Sequence, residues 1–203
     1  EAAVAGGIPI LRTIKEGLAT NKIKKVYGIL NGTCNYILSE MMNSKKSFKD
    51  VLTKAQKLGY AEPGNPKLDL NGYDDALSKI KILSSLSFNK KISKKNCLME
   101  GIENIELKDI KIASQLGLRI KLIGISQLIN NQLFEAVHPC LVRKNSYIGN
   151  VNGVMNVIIL EGKPIGENIL QGEGAGPGPT SSSLLADLLS ILRGDVRNAF
   201  GIS

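Results

Sequence analysis

Between Gly59 and Lys79 the chain gathers four carboxylates, Glu62, Asp69, Asp74 and Asp75, and two lysines, Lys67 and Lys79, in a glycine- and proline-bent loop that runs into a helix. Asp75 and Lys79 are four residues apart and share one helical face. Four acids are more than one helix start requires, and carboxylates beside a lysine are material for proton transfer. The same residues would also make a solvated turn with an acidic helix start, which the helix macrodipole favours. Other chemistries have little to work with. His138 is the single histidine, set between Val137 and Pro139 where a structural role is the commoner one, so a Ser-His-Asp triad or a histidine-rich metal site has almost no material.

Two further stretches have the shape of ligand contacts. Asn31-Gly32-Thr33 closes an apolar run and opens a helix, and such a turn presents backbone N–H groups to an anion. Ordinary turn chemistry explains the same three residues equally well. Gly172 to Thr180 holds four glycines ahead of a leucine-rich helix, and a backbone without Cβ atoms can approach a phosphate or a cofactor ring closely. It lacks the Gly-Lys-Ser/Thr of a phosphate-binding loop and the G-x-G-x-x-G of a dinucleotide fold. A flexible connector would read the same way.

The elements that must position these stretches follow from periodicity. Ile8, Leu11, Ile14 and Leu18 predict a first helix with Pro9 in its opening turn. Lys25 to Leu30 predicts a short buried strand, followed by a helix carrying Tyr36, Ile37 and Met41. Ser47 caps a helix with Val51, Leu52, Ala55 and Leu58 on one face, and Gly59 ends it. A helix from Asp74 turns Leu77, Ile80, Leu83 and Leu86 inward. A shorter helix spans about 107–116. Two hairpins follow, 120–129 with 133–142 around Asn130-Asn131, and 154–160 with 165–170 around residues 161–164. The last helix is predicted over 181–193. The expected fold class is α+β, a two-layer arrangement of a mixed sheet with helices mainly on one face.

With 43% hydrophobic and 22% charged residues in 203, the composition is globular. There is no apolar run long enough for a membrane span. Cys34, Cys97 and Cys140 are widely spaced and suggest neither a disulfide framework nor a zinc site, which points to a reducing, cytoplasmic setting. The net charge of +8 raises nucleic acid as a partner, but the lysines are dispersed and aromatic residues are only 4%, so no base-stacking surface is expected. The chain opens on Glu1 rather than Met, and reads as a piece of something longer.

Glu1-Ala-Ala-Val-Ala-Gly-Gly-Ile-Pro-Ile10, Gly28-Ile-Leu-Asn-Gly-Thr-Cys-Asn-Tyr36, Leu58-Gly-Tyr-Ala-Glu62, Asp69-Leu-Asn-Gly72 with the acids and lysine after it, Val151-Asn-Gly-Val154 and Gly174-Ala-Gly176 together resemble homoserine dehydrogenase along nearly the whole chain. The resemblance implies the substrate-binding and dimerisation part of an enzyme that uses NADP or NAD to interconvert aspartate 4-semialdehyde and homoserine. It implies residues 1–25 as hinge and first helix, 26–171 as the substrate-binding and dimerisation domain, and 172–203 as a glycine-rich loop and helix returning toward a dinucleotide-binding domain. A homodimer through the sheet is implied, and no turnover by this chain alone.

Matched residue by residue, Glu62 would hold the substrate ammonium, with Asn31, Gly32, Thr33 and Tyr60 close to the substrate. Gly59, Glu62, Gly174 and Gly176 would lie on the cofactor side. Asp69 and either Asp74 or Asp75 would face the substrate hydroxyl, and Lys79 would donate the proton. The family's aspartate-to-lysine spacing is met from Asp75; from Asp74 the matching position holds Ser78. A sodium ion would be held at Glu1, Val4, Gly6 and Ile8. The alternatives are an inactive dimerisation or scaffold module, or a related oxidoreductase with the same substrate domain.

Overall fold

A computed structural model describes residues 1–61, 73–92 and 97–195. Glu62 and Asp69 lie outside the described residues.

Helix α1 (Ile10–Arg12) continues into a π-helical turn, Thr13–Gly17, closed by the Leu18 N–H donating to the Thr13 carbonyl at 2.8 Å. The periodicity predicted a plain α-helix here. The wider turn keeps Ile10, Ile14 and Leu18 all in the core. Strand β1 (Lys22–Ile29) starts three residues earlier than expected and leads into α2 (Gly32–Ser44) and α3 (Phe48–Lys57). The Ser47 hydroxyl caps α3 by accepting from the Asp50 N–H, and Gly59 follows the helix at φ +74°, as their types predicted. Next come α4 (Tyr73–Phe88), the two-residue strand β2 (Leu98–Met99) and α5 (Leu107–Gln115).

Strands β3 (Leu118–Ile129) and β4 (Gln132–Arg143) form a long hairpin whose turn residues Asn130 and Asn131 both have positive φ. That is the mirror-image turn matching strand twist. After α6 (Tyr147–Asn150) come β5 (Met155–Lys163) and β6 (Gly166–Glu173). This hairpin turns at Pro164 and Ile165, not over residues 161–164. Glu161 and Gly162 stay in the strand because they pair with Lys25 and Ile23 of β1 on one side and Glu167 and Gly166 of β6 on the other. Helix α7 (Pro177–Leu192) begins four residues earlier than predicted, with proline in its first turn.

The six strands lie in the order β2-β4-β3-β1-β5-β6, antiparallel except for the parallel pair β2/β4. The larger core fills the face covered by α1 to α5, with Ile37, Met41, Val51, Ile80 and Leu83 against Val26, Leu122, Val137, Ile158 and Leu160. Each such side chain contributes roughly 1.5–3 kcal/mol when fully buried. A smaller apolar cluster, Ile29, Ile123, Val157 and Ile159, occupies the opposite face under Ile148 and Val151. The α+β arrangement with helices mainly on one face is therefore the one observed.

Two glycines decide how closely the central elements approach, one between neighbouring strands and one beneath α4. A Cβ at Gly28 on β1 would stand 2.0 Å from the Val157 carbonyl oxygen. One at Gly124 on β3 would stand 2.9 Å from Leu30 Cδ1 and 3.5 Å from Ile80 Cβ. Only glycine lets α4 lie this low over the end of β1, and α4 carries Asp75 and Lys79.

Candidate active site

The site is built where β1 stops. Asn31, extended in backbone, caps α2 by accepting the Cys34 N–H on Oδ1 at 2.8 Å. Its Nδ2 donates across to Asp75 Oδ2 at 3.1 Å. Lys79, one turn after Asp75 on α4, donates from Nζ to the same Oδ2 at 2.8 Å and to the Leu30 carbonyl oxygen at 3.0 Å. An ammonium has three N–H donors. Two are thus fixed by the protein, and the side chain keeps 18% of its exposure, so the third can reach a ligand.

The spacing left Asp74 and Asp75 open; the fold brings Asp75 to Lys79. Asp74 is exposed, and its backbone carbonyl accepts the Ser78 hydroxyl.

The rest of the Asn31-Gly32-Thr33 turn is held as tightly. A Cβ on Gly32 would lie 2.6 Å from the Val154 carbonyl oxygen, so the loop before β5 sits directly against the turn. Thr33 Oγ1 donates to the Tyr60 carbonyl at 2.5 Å, tying the end of α3 and Gly59 to the start of α2. The Tyr60 ring packs edge-on against Tyr36 at 5.0 Å between centroids.

Asn156 was not expected from the sequence. It is buried on β5 and donates from Nδ2 to the Leu30 carbonyl at 3.3 Å, the same oxygen that Lys79 uses. Gly174 lies against its amide, where a Cβ would be 2.3 Å from Nδ2 and 2.5 Å from Oδ1. The glycine loop thereby reaches the site from the end of β6. Farther along the loop Gly176 holds φ +111°, and a Cβ there would meet only Pro179 Cδ at 3.8 Å.

Beneath the turn lies a second polar group that the sequence reading missed. Lys121 on β3 is fully buried and donates to Asn35 Oδ1 at 2.9 Å, Ser39 Oγ at 3.4 Å and the Val151 carbonyl. Asn35 in turn donates to the carbonyls of Val151, Gly153 and Met155. Burial pushes the Lys121 ammonium down to about 8, with repulsion from Arg119 adding to it. Asn35 and Ser39, polar at an i, i+4 spacing on the inward face of α2, were the available signal.

The residues matched to a sodium site are otherwise engaged. Both Glu1 carboxylate oxygens accept backbone N–H groups at the start of α1, from Leu11 at 2.7 Å and Arg12 at 3.0 Å. The Gly6 carbonyl accepts the Ser183 hydroxyl at 2.6 Å, and the Ile8 carbonyl accepts the Ile10 N–H at 2.7 Å. Glu1 thus acts as a cap to the helix start. Among the described residues, no three His, Cys, Asp or Glu side chains gather to hold a metal. No helix among them is long and apolar enough to cross a membrane.

A family model for homoserine dehydrogenase matches residues 9–189. The homoserine dehydrogenase of Neisseria gonorrhoeae is 46% identical over 193 residues, covering 95% of this chain and 44% of that protein. The chain belongs to the homoserine dehydrogenase family. The Helicobacter pylori member is 44% identical over the same share of this chain. Among solved structures, a homoserine dehydrogenase from Thiobacillus denitrificans superposes with a TM-score of 0.94 at 42% identity, covering 98% of this chain and 48% of that one. A hyperthermophilic archaeal homoserine dehydrogenase mutant in complex with NADPH superposes with a TM-score of 0.79 at 26% identity. The chain spans under half the length of these curated relatives. Within the homoserine dehydrogenase fold, α4 and β5 thus converge on one carbonyl oxygen, that of Leu30, through Lys79 and Asn156.

Proposed function

We propose that this chain is the substrate-binding, catalytic part of an NAD(P)-dependent homoserine dehydrogenase, reducing L-aspartate 4-semialdehyde to L-homoserine in the biosynthesis of threonine, methionine and isoleucine. The observation that carries the reading is the Lys79 ammonium, anchored by Asp75 and the Leu30 carbonyl with one N–H left for a ligand. A lysine so held delivers a proton to the aldehyde oxygen as it becomes an alkoxide, and takes it back in the reverse direction. Asp75 fixes the lysine and, beside Asn31, offers its carboxylate to the substrate hydroxyl. Glu62, for the substrate ammonium, and Asp69 complete the set by resemblance, with Thr33 and Tyr60 holding the adjoining turn.

The nicotinamide cofactor, when bound, supplies or accepts the hydride. The residues present fit it: Gly59 and Gly176 leave open space where a ring could approach the backbone, Gly174 stands in the same glycine loop, and an archaeal relative is in complex with NADPH.

In the same reading residues 1–25 are the hinge, 26–171 the substrate-binding and dimerisation unit, and 172–203 the return toward a dinucleotide-binding domain. The 203 residues contain no G-x-G-x-x-G fingerprint, so alone they bind substrate without turnover. The same reading makes the chain part of a cytoplasmic homodimer formed through the sheet. In the full-length protein, Lys79→Ala should lower kcat by roughly 100-fold or more while leaving the oligomeric state unchanged. Turnover close to that of the unsubstituted enzyme would overturn the reading.

A further inference from the structure

Asn156 uses its side chain in an unusual way. It is 1% exposed, its Nδ2 donates to the Leu30 carbonyl, and no donor among the described residues reaches its Oδ1. A buried amide acceptor left unsatisfied is costly. Turning the amide over would not help, because Oδ1 would then face the Leu30 oxygen, acceptor against acceptor. The residue is therefore held in the one orientation that serves Leu30.

That carbonyl is also the second anchor of Lys79, so two donors from elements 77 residues apart meet on one oxygen. A carbonyl oxygen accepts two hydrogen bonds, and occupation of one lone pair by Asn156 leaves a single direction for the ammonium. The glycine loop enforces the arrangement from the other side. Any side chain at residue 174 would occupy the place of the Asn156 amide. Among the described residues, the polar contact of the Asn156 side chain with the site runs through Leu30.

We propose that Asn156 is a positioning residue for the proton donor: by sharing the Leu30 carbonyl with Lys79 it sets the direction in which the ammonium presents its free N–H, and Gly174 is the residue that makes room for it. The proposal rests on the reading of Lys79 as proton donor for its catalytic consequence, but not for the geometry itself.

The test uses the full-length protein with Asn156→Ala, the isosteric Asn156→Asp, and unsubstituted enzyme. Asn156→Ala lowers kcat roughly tenfold with KM for homoserine little changed, the size expected for one lost neutral hydrogen bond felt in the transition state. Asn156→Asp lowers kcat at alkaline pH and recovers toward acid pH, because the protonated carboxyl regains an O–H donor for Leu30. Asn156→Ala shows no such recovery. A merely structural role would lower thermal stability in both variants without this difference in pH profile.

Independently of activity, the 15N signal of the Lys79 ammonium, assigned by its loss in Lys79→Ala, shifts in both variants. An unmoved Lys79 signal overturns the proposal whatever the rates. A shifted signal with unchanged kcat upholds the positioning and instead refutes Lys79 as the proton donor.

Discussion

Lys121 offers the sharpest quantitative test of this structure. It is buried beside α2 with three neutral oxygen acceptors, and no ion pair to it occurs among the described residues. In the unfolded chain its ammonium has the ordinary value of 10.5, and in the folded chain burial lowers it to about 8. Between those two values the unfolded state binds more protons than the folded one, so stability rises with pH. The burial penalty is fully present below the folded value and is relieved as pH climbs through the window. Each pH unit there is worth about 1.4 kcal/mol, on the order of 3 kcal/mol in all.

The comparison is with Lys121→Met, which keeps an unbranched side chain of similar volume and does not titrate. Urea midpoints for the two proteins are followed from about neutral pH to about pH 10, where the difference between them cancels every other titrating group. The unsubstituted protein should gain on the variant steadily above about pH 8. A difference that stays flat across the range would show that Lys121 titrates as a solvated lysine, and would refute its burial against Asn35 and Ser39.

Two other substitutions probe how the site is held. Gly28→Ala would drive a Cβ to within 2.0 Å of the Val157 carbonyl in the middle of the sheet. It should destabilise the fold by roughly 1–3 kcal/mol or more, read from thermal or urea unfolding. Thr33→Val removes the donor to the Tyr60 carbonyl, 2.5 Å away at a surface position, without changing shape. In the full-length protein, on the proposed reading, it should raise KM for homoserine several-fold with kcat and stability nearly unchanged, roughly one neutral hydrogen bond's worth. Steady-state kinetics separate this from a loss of fold.

The helix C-terminal to the glycine loop bears on a different surface. Leu184, Leu185, Leu188 and Leu192 of α7 stand exposed, while its other side is tied to the start of the chain. Arg12 reaches Ser190 at 2.9 Å and Asp187 at 3.6 Å, and Ser183 bonds the Gly6 carbonyl. An exposed apolar face of this kind is the expected contact for the dinucleotide-binding domain in the proposed reading.

By itself the sequence determined the parts of the site that obey local rules. Asp75 and Lys79 fall on one face because a helix repeats every 3.6 residues, and Asn31 caps α2 because a short polar side chain at that place satisfies a free N–H. The Asn130-Asn131 turn and the Ser47 cap were legible for the same reason. Tertiary structure alone decided which carbonyl the lysine would share and with whom, since Leu30, Lys79 and Asn156 come from three separated elements. It also decided the fate of Lys121, whose strand neighbours Arg119 and Leu122 give no hint that it points under α2. A strand's alternation tells which residues share a face; only the helix packed on that face tells whether it is wet or dry.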